Sequence, residues 1–126
     1  GYGIYINLDS LGDKKYVMYA DTTGDQKYDA EGEICNQQLP RLPGKDCIIE
    51  EINFGQIELG VVMKRIEGTG NRRLDVNFTP PNPTIKITSL LPNINRVQVI
   101  FALESDPLEE ITRIVSINTS GLIEIK

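Results

Sequence analysis

Lys15-Tyr16-Val17-Met18-Tyr19-Ala20 runs directly into Asp21-Thr22-Thr23-Gly24-Asp25-Gln26-Lys27-Tyr28-Asp29. The first six residues contain two tyrosines and a valine and no glycine or proline, so they read as a strand. The next nine are polar, with oxygen-bearing side chains at Asp21, Thr23, Asp25 and Asp29. That spacing lets one tight loop aim several hard oxygens at a common point, which is what a calcium ion requires. An EF-hand-like frame would take the side chains of Asp21, Thr23, Asp25 and Asp29 together with the Lys27 carbonyl. Two positions depart from that frame. Gln26 stands where the loop wants a glycine, and Gly32 stands where it wants a bidentate glutamate, with Glu31 and Glu33 on either side. The competing reading is a polar turn in which the aspartates cap their own backbone.

Outward from this stretch, the chain alternates short strands with turns. Residues 2–8 alternate apolar and polar side chains, and Asp9-Ser10-Leu11-Gly12-Asp13 turns them back, so they pair with residues 16–20 as a hairpin. Tyr16 and Tyr19 then fall on opposite faces of their strand. Residues 48–54 and 56–66 read as the next two strands, followed by a turn at Gly68-Thr69-Gly70-Asn71. Leu74-Asp75-Val76-Asn77-Phe78 alternates and stops at Pro80-Pro81-Asn82-Pro83, which cannot continue a ladder. Residues 84–88, 98–103, 111–117 and 122–125 complete the series, with turns at 104–107 and at Asn118-Thr119-Ser120-Gly121. No segment has the period of an amphipathic helix; residues 108–112 supply one helical turn at most. The spacing predicts a mainly β chain built as an antiparallel two-sheet, sandwich-like domain spanning residues 1–126.

Composition narrows the function. The 126 residues carry a formal net charge of −5. An acidic surface disfavours nucleic acid and anionic lipid as partners. The chain has no histidine, which removes the commonest general base and the commonest transition-metal ligand together. No nucleophile–base pair stands out, and the reading is that the protein is not an enzyme. The two cysteines, Cys35 and Cys47, flank a segment broken by Pro40, Pro43 and Gly44. A bridge between them closes a short loop and implies an oxidising, extracytoplasmic compartment; the alternative is two buried thiols. Without CxxC spacing or a histidine, a redox-catalytic role is disfavoured.

Three segments carry a resemblance. The first is Tyr16-Val17-Met18-Tyr19-Ala20-Asp21 running into Thr23-Gly24-Asp25-Gln26-Lys27-Tyr28-Asp29 and the acidic turn Glu31-Gly32-Glu33. The second is Val76-Asn77-Phe78-Thr79-Pro80-Pro81-Asn82-Pro83-Thr84, and the third is Ile114-Val115-Ser116-Ile117-Asn118-Thr119-Ser120-Gly121-Leu122-Ile123-Glu124-Ile125. Taken in order, they resemble the globular domain of type IV pilin-like proteins, in the branch of the H-type minor pseudopilins, the GspH/FimT group. The resemblance implies a structural subunit of a type IV pilus-like filament or of a type II secretion pseudopilus, acting by assembly. It also implies an N-terminal apolar helix, processed and methylated by a prepilin peptidase, that anchors the subunit in the inner membrane. On this reading the chain is the head alone, the helix being absent from it, and its partners are other pilin or pseudopilin subunits and the assembly machinery at the periplasm or bacterial cell surface. The major pseudopilins bind calcium through a loop placed elsewhere, so the resemblance adds little to the metal reading.

The remaining signals have two readings each. Lys64, Arg65, Arg72 and Arg73 are the only basic concentration, read either as a DNA contact or as a solvated strand edge that resists sheet aggregation. Five tyrosines cluster between positions 2 and 28, as stacking platforms or as cross-strand packing. Asn77-Phe78-Thr79 and Asn118-Thr119-Ser120 match the glycosylation pattern, by chance if the protein is bacterial. The alternative to a filament subunit is a secreted β-sandwich binding module, for carbohydrate or another ligand, stabilised by calcium at the acidic loop.

Overall fold

The computed structural model describes residues 1–29, 34–35, 45–56, 60–80 and 84–126. The acidic turn at residues 31–33, the stretch between the cysteines at residues 36–44 and the proline run at residues 81–83 lie outside them. Among the described residues the strands are β1 (Tyr2–Asn7), β2 (Lys15–Ala20), β3 (Cys47–Asn53), β4 (Val61–Glu67), β5 (Arg73–Thr79), β6 (Thr84–Thr88), β7 (Arg96–Leu103), β8 (Thr112–Asn118) and β9 (Ile123–Ile125). They form two antiparallel sheets, ordered β3-β2-β1-β5-β6 and β4-β7-β8-β9.

The mainly β reading with two antiparallel sheets is therefore correct. The strand expected over residues 56–66 starts later among the described residues. A 3-10 turn occupies Phe54–Gln56, and β4 starts only at Val61. The Asn53 side chain accepts the Gly55 amide at 3.1 Å and starts the turn. Gly60, at φ +83°, sits in a left-handed conformation that an extended strand cannot hold. Elsewhere boundaries move by one or two residues, as at β7, which begins at Arg96.

Alternation along each strand sorts side chains to two faces. In the first sheet, Ile4, Ile6, Leu74 and Val76 point toward the second sheet. They meet Met63, Ile66, Val97 and Val99 from β4 and β7 in the main core, with Leu8, Ile85 and Ile87 completing it. The opposite face carries Tyr5, Val17 and Tyr19, a second and smaller cluster with Leu11, Tyr28 and Ile48 against it. Tyr16 packs on the main core and Tyr19 in the second cluster, so they do face opposite ways. The register places Gly3 directly opposite Tyr19 on β2 and Asn77 on β5. Asparagines close the turn after β1 and the turn before β9. Asn7 Oδ1 accepts the Asp9 and Ser10 amides at 3.0 and 3.1 Å. Asn118 Oδ1 accepts the Ser120 and Leu122 amides at 3.1 and 3.0 Å and sets the turn into β9.

Candidate functional site

Residues 21–29 leave β2 and fold back over the outer face of the first sheet. Carboxylates do the folding. Asp21 Oδ1 accepts the Gly24 amide at 2.9 Å and Oδ2 accepts the Gln26 amide at 2.9 Å. Asp25 Oδ1 accepts the Lys27 amide at 3.0 Å. Gln26 takes a left-handed φ of +62°. It thus makes the sharp turn that the calcium frame assigns to glycine, at a cost on the order of 1 kcal/mol. Its side chain holds it there, donating to Thr79 Oγ1 at 3.0 Å.

The loop is locked onto the sheet through buried polar groups. Asp75 and Asn77, both on β5, have no exposed surface. Asp75 accepts the Tyr19 hydroxyl at 2.6 Å and the Tyr28 amide at 2.7 Å. Asn77 donates to the Tyr19 hydroxyl at 3.3 Å and to Asp21 at 3.4 Å. The Tyr28 ring stacks on Tyr5 with centroids 4.1 Å apart and meets Tyr19 edge-on at 5.2 Å. Burial raises the Asp75 carboxyl above the usual range despite these donors, and burial also raises the Tyr19 hydroxyl. Among the described buried side chains only Thr88 Oγ1 lacks a hydrogen-bond partner, so this network is satisfied throughout.

A residue without a sequence signal closes the site. Asp46, fully buried, accepts the Thr22 amide at 3.0 Å and the Asp29 amide at 3.2 Å. In return its own amide donates to Asp29 Oδ1 at 2.8 Å. Asp46 is adjacent to Cys47, which is bonded to Cys35 with a Cα–Cα distance of 5.0 Å. The expected bridge is therefore present, and it anchors the segment that supplies Asp46. Reducing it is expected to lower unfolding free energy by about 2–3 kcal/mol, as a loop of this size implies; urea titrations with and without reductant measure that loss.

The sequence-predicted ligand set is brought together only in part. Asp21 and Asp25 lie with Asp46 so that one carboxylate oxygen from each falls within 4.8 Å of the others. Thr23 joins the rim, its hydroxyl 3.2 Å from Asp21 Oδ1 and 3.3 Å from Asp46 Oδ1. Asp29 turns instead to Asp46, and Lys27 enters through its amide on Asp25. Burial raises the Asp46 carboxyl to about 7, and the adjacent Asp29 carboxylate pushes the same way. Crowded acids relieve their repulsion by keeping a proton or by taking up a cation.

A second feature lies between the sheets. Ile4, Tyr16 and Phe78 from the first sheet face Val115, Ile117 and Ile123 from the second across an apolar cleft of about 290 Å³. Ile123 is 52% exposed at its mouth.

The remaining signals resolve as local structure. Arg65 pairs with Glu67 at 2.8 Å and with Glu109, Arg72 pairs with Asp9 at 2.9 Å, and Arg73 lies 5.1 Å above the Tyr5 ring. Most of the basic concentration is thus engaged within the chain. Asn77 is buried and Asn118 caps a turn, so both glycosylation-like matches have structural roles. No helix among the described residues is long and apolar enough to cross a membrane. Comparison of the chain with family models, with curated proteins and with solved structures finds no match to any of the three.

Proposed function

We propose that the chain is the head domain of a filament subunit of the type IV pilin-like class, working by assembly rather than by catalysis. One observation carries the reading. The described part of the first segment that carries the resemblance, residues 16–29, is a built unit: an inner strand whose loop is locked onto the sheet by Tyr28, Asp75 and Asp46. A loop fixed in this way presents a constant surface, which repeated subunit packing demands. Of the second segment, residues 76–79 lie on β5, and the third segment forms the β8–β9 hairpin. On this reading the subunit is held in the inner membrane by an apolar helix ahead of the head, and the disulfide forms outside the cytoplasm. The test is to tag the full-length gene product in its source organism and fractionate the cells. Recovery with inner membrane and with sheared filaments is expected. A product released wholly as a soluble secreted protein overturns the reading.

The crowding of Asp21, Asp25 and Asp46 favours a second reading, a secreted binding module whose acidic loop is stabilised by calcium. Here calcium replaces the Asp46 proton. Its expected affinity is in the weak, extracellular range of about 10⁻⁴–10⁻³ M. At tenfold excess over the dissociation constant the added stability is about 1.4 kcal/mol, visible as a rise in melting temperature after chelation and calcium addition. An unchanged melting temperature, with no proton release at pH 7, removes this reading and leaves the loop as a self-capped turn.

A further inference from the structure

We propose that the open edge of β9 and the cleft beneath it form a docking site for an extended segment of another protein, with side chains alternating apolar, basic, apolar. The hydrogen bonds of the last hairpin fix which groups are free. The Ile114 and Lys126 main chains exchange bonds at 3.0 and 2.9 Å, and the Asn118 amide donates to the Leu122 carbonyl at 3.1 Å. Residues 122 and 126 therefore turn their main chain toward β8. By the two-residue period, Ile123 and Ile125 turn theirs the other way, onto an edge where no described strand pairs.

The same two residues define the apolar face. Ile123 is opposite Ile117 and Ile125 is opposite Val115. Paired residues share a face, and Val115, Ile117 and Ile123 line the cleft, so Ile125 faces the cleft side as well. Ile125 is 75% exposed. A strand added here has its residues opposite Ile123 and Ile125 doubly hydrogen-bonded, with their side chains directed to the cleft. Backbone pairing supplies affinity and the alternating side chains supply selectivity. The position between them lies opposite Glu124 on the outer face, where a lysine or arginine is favoured.

A second copy of this chain fits poorly. Symmetric antiparallel pairing of β9 centred on Glu124 sets that carboxylate against itself, between two molecules each of net charge −5. The free edge specifies a strand rather than a helix, because a helix leaves the Ile123 and Ile125 main chains unpaired. The proposal does not rest on the filament reading. Failure of the peptide assay has no bearing on the fractionation result.

The assay uses a nine-residue synthetic peptide of alternating valine and threonine with one central lysine, added to the chain at low ionic strength. Amide exchange is expected to slow at Ile123 and Ile125 and to stay unchanged at β3. Ile125→Pro, at an exposed edge position where proline is tolerated, is expected to keep the fold and weaken binding by about tenfold or more, since it removes one main-chain donor. Glu124→Lys is expected to weaken the lysine peptide about threefold and to favour a glutamate-centred peptide instead. Four results overturn the proposal. They are no binding at millimolar peptide, binding that Ile125→Pro leaves intact, binding without protection of the two amides, and protection produced by self-association of the chain alone.

Discussion

Gly3→Ala is expected to destabilise the fold by about 4 kcal/mol. A Cβ built on Gly3 falls 2.3 Å from Tyr19 Cζ and 2.4 Å from its Cε1 and hydroxyl oxygen. The ring cannot move aside, because Tyr19 has no exposed surface and meets Tyr28 edge-on. Overpacking of this kind costs about 1–3 kcal/mol. Displacing the ring also breaks the Tyr19–Asp75 bond and leaves a buried carboxyl short of a donor, which adds about 1–3 kcal/mol. Chemical denaturation of the variant measures the sum. Tyr19→Ala supplies the control: in its background Gly3→Ala has no ring to strike, so the double variant is expected to be more stable than the two single losses added together. Additive losses would show that the ring and the glycine are not in contact.

Stability is expected to fall as pH rises from about 4 to about 7. Asp46 has an ordinary carboxyl value of 3.8 in the unfolded chain and about 7 in the folded one. Over that window the folded state keeps a proton that the unfolded state has lost. Unfolding free energy therefore decreases with rising pH and levels off above the folded value. Each tenfold gain in proton affinity on folding is worth about 1.4 kcal/mol, so this residue supplies at most about 4 kcal/mol. Asp75, raised by its burial, contributes with the same sign. Urea midpoints at pH 5.5 and pH 8 measure the difference, and the lower pH is expected to give the higher midpoint. Asp46→Asn keeps the neutral shape at every pH and is expected to flatten most of the slope. A midpoint that rises between pH 5.5 and pH 8 contradicts the assignment.

The period-two pattern made most strands readable because one face of each is buried in the core: Leu74 and Val76 on β5, Ile4 and Ile6 on β1. What the same pattern conceals is the fate of the intervening polar residues. Asp75 and Asn77 read as the water-facing side of β5, yet both are fully buried, with Tyr28 and Asp21 of the loop bonded to them. Local alternation carries no information about a cover that arrives from a distant part of the chain. Asp46 was unreadable for the same reason. It joins the acidic group only because β3 pairs with β2 and brings the chain before Cys47 beside the chain after Ala20. Gln26 shows the converse case. Its residue type argued against a sharp turn, and two hydrogen bonds from its amide and side chain impose the turn regardless. The 3-10 turn at Phe54–Gln56 falls at the break read between the strands over 48–54 and 56–66, and takes the end residue of each through an asparagine cap that propensity alone does not foresee.

The chain has no tryptophan, so its near-ultraviolet signals come chiefly from tyrosine. Three of the five tyrosines stand in one asymmetric group, with the Tyr5 and Tyr28 rings inclined by only 13° and Tyr19 set across them at 70°. Rings held at fixed mutual angles couple optically, and only Tyr28 of the three sits on the acidic loop. Circular dichroism in the aromatic region therefore reads out, without any label, whether that loop is seated on the sheet, and does so while the strands themselves stay intact.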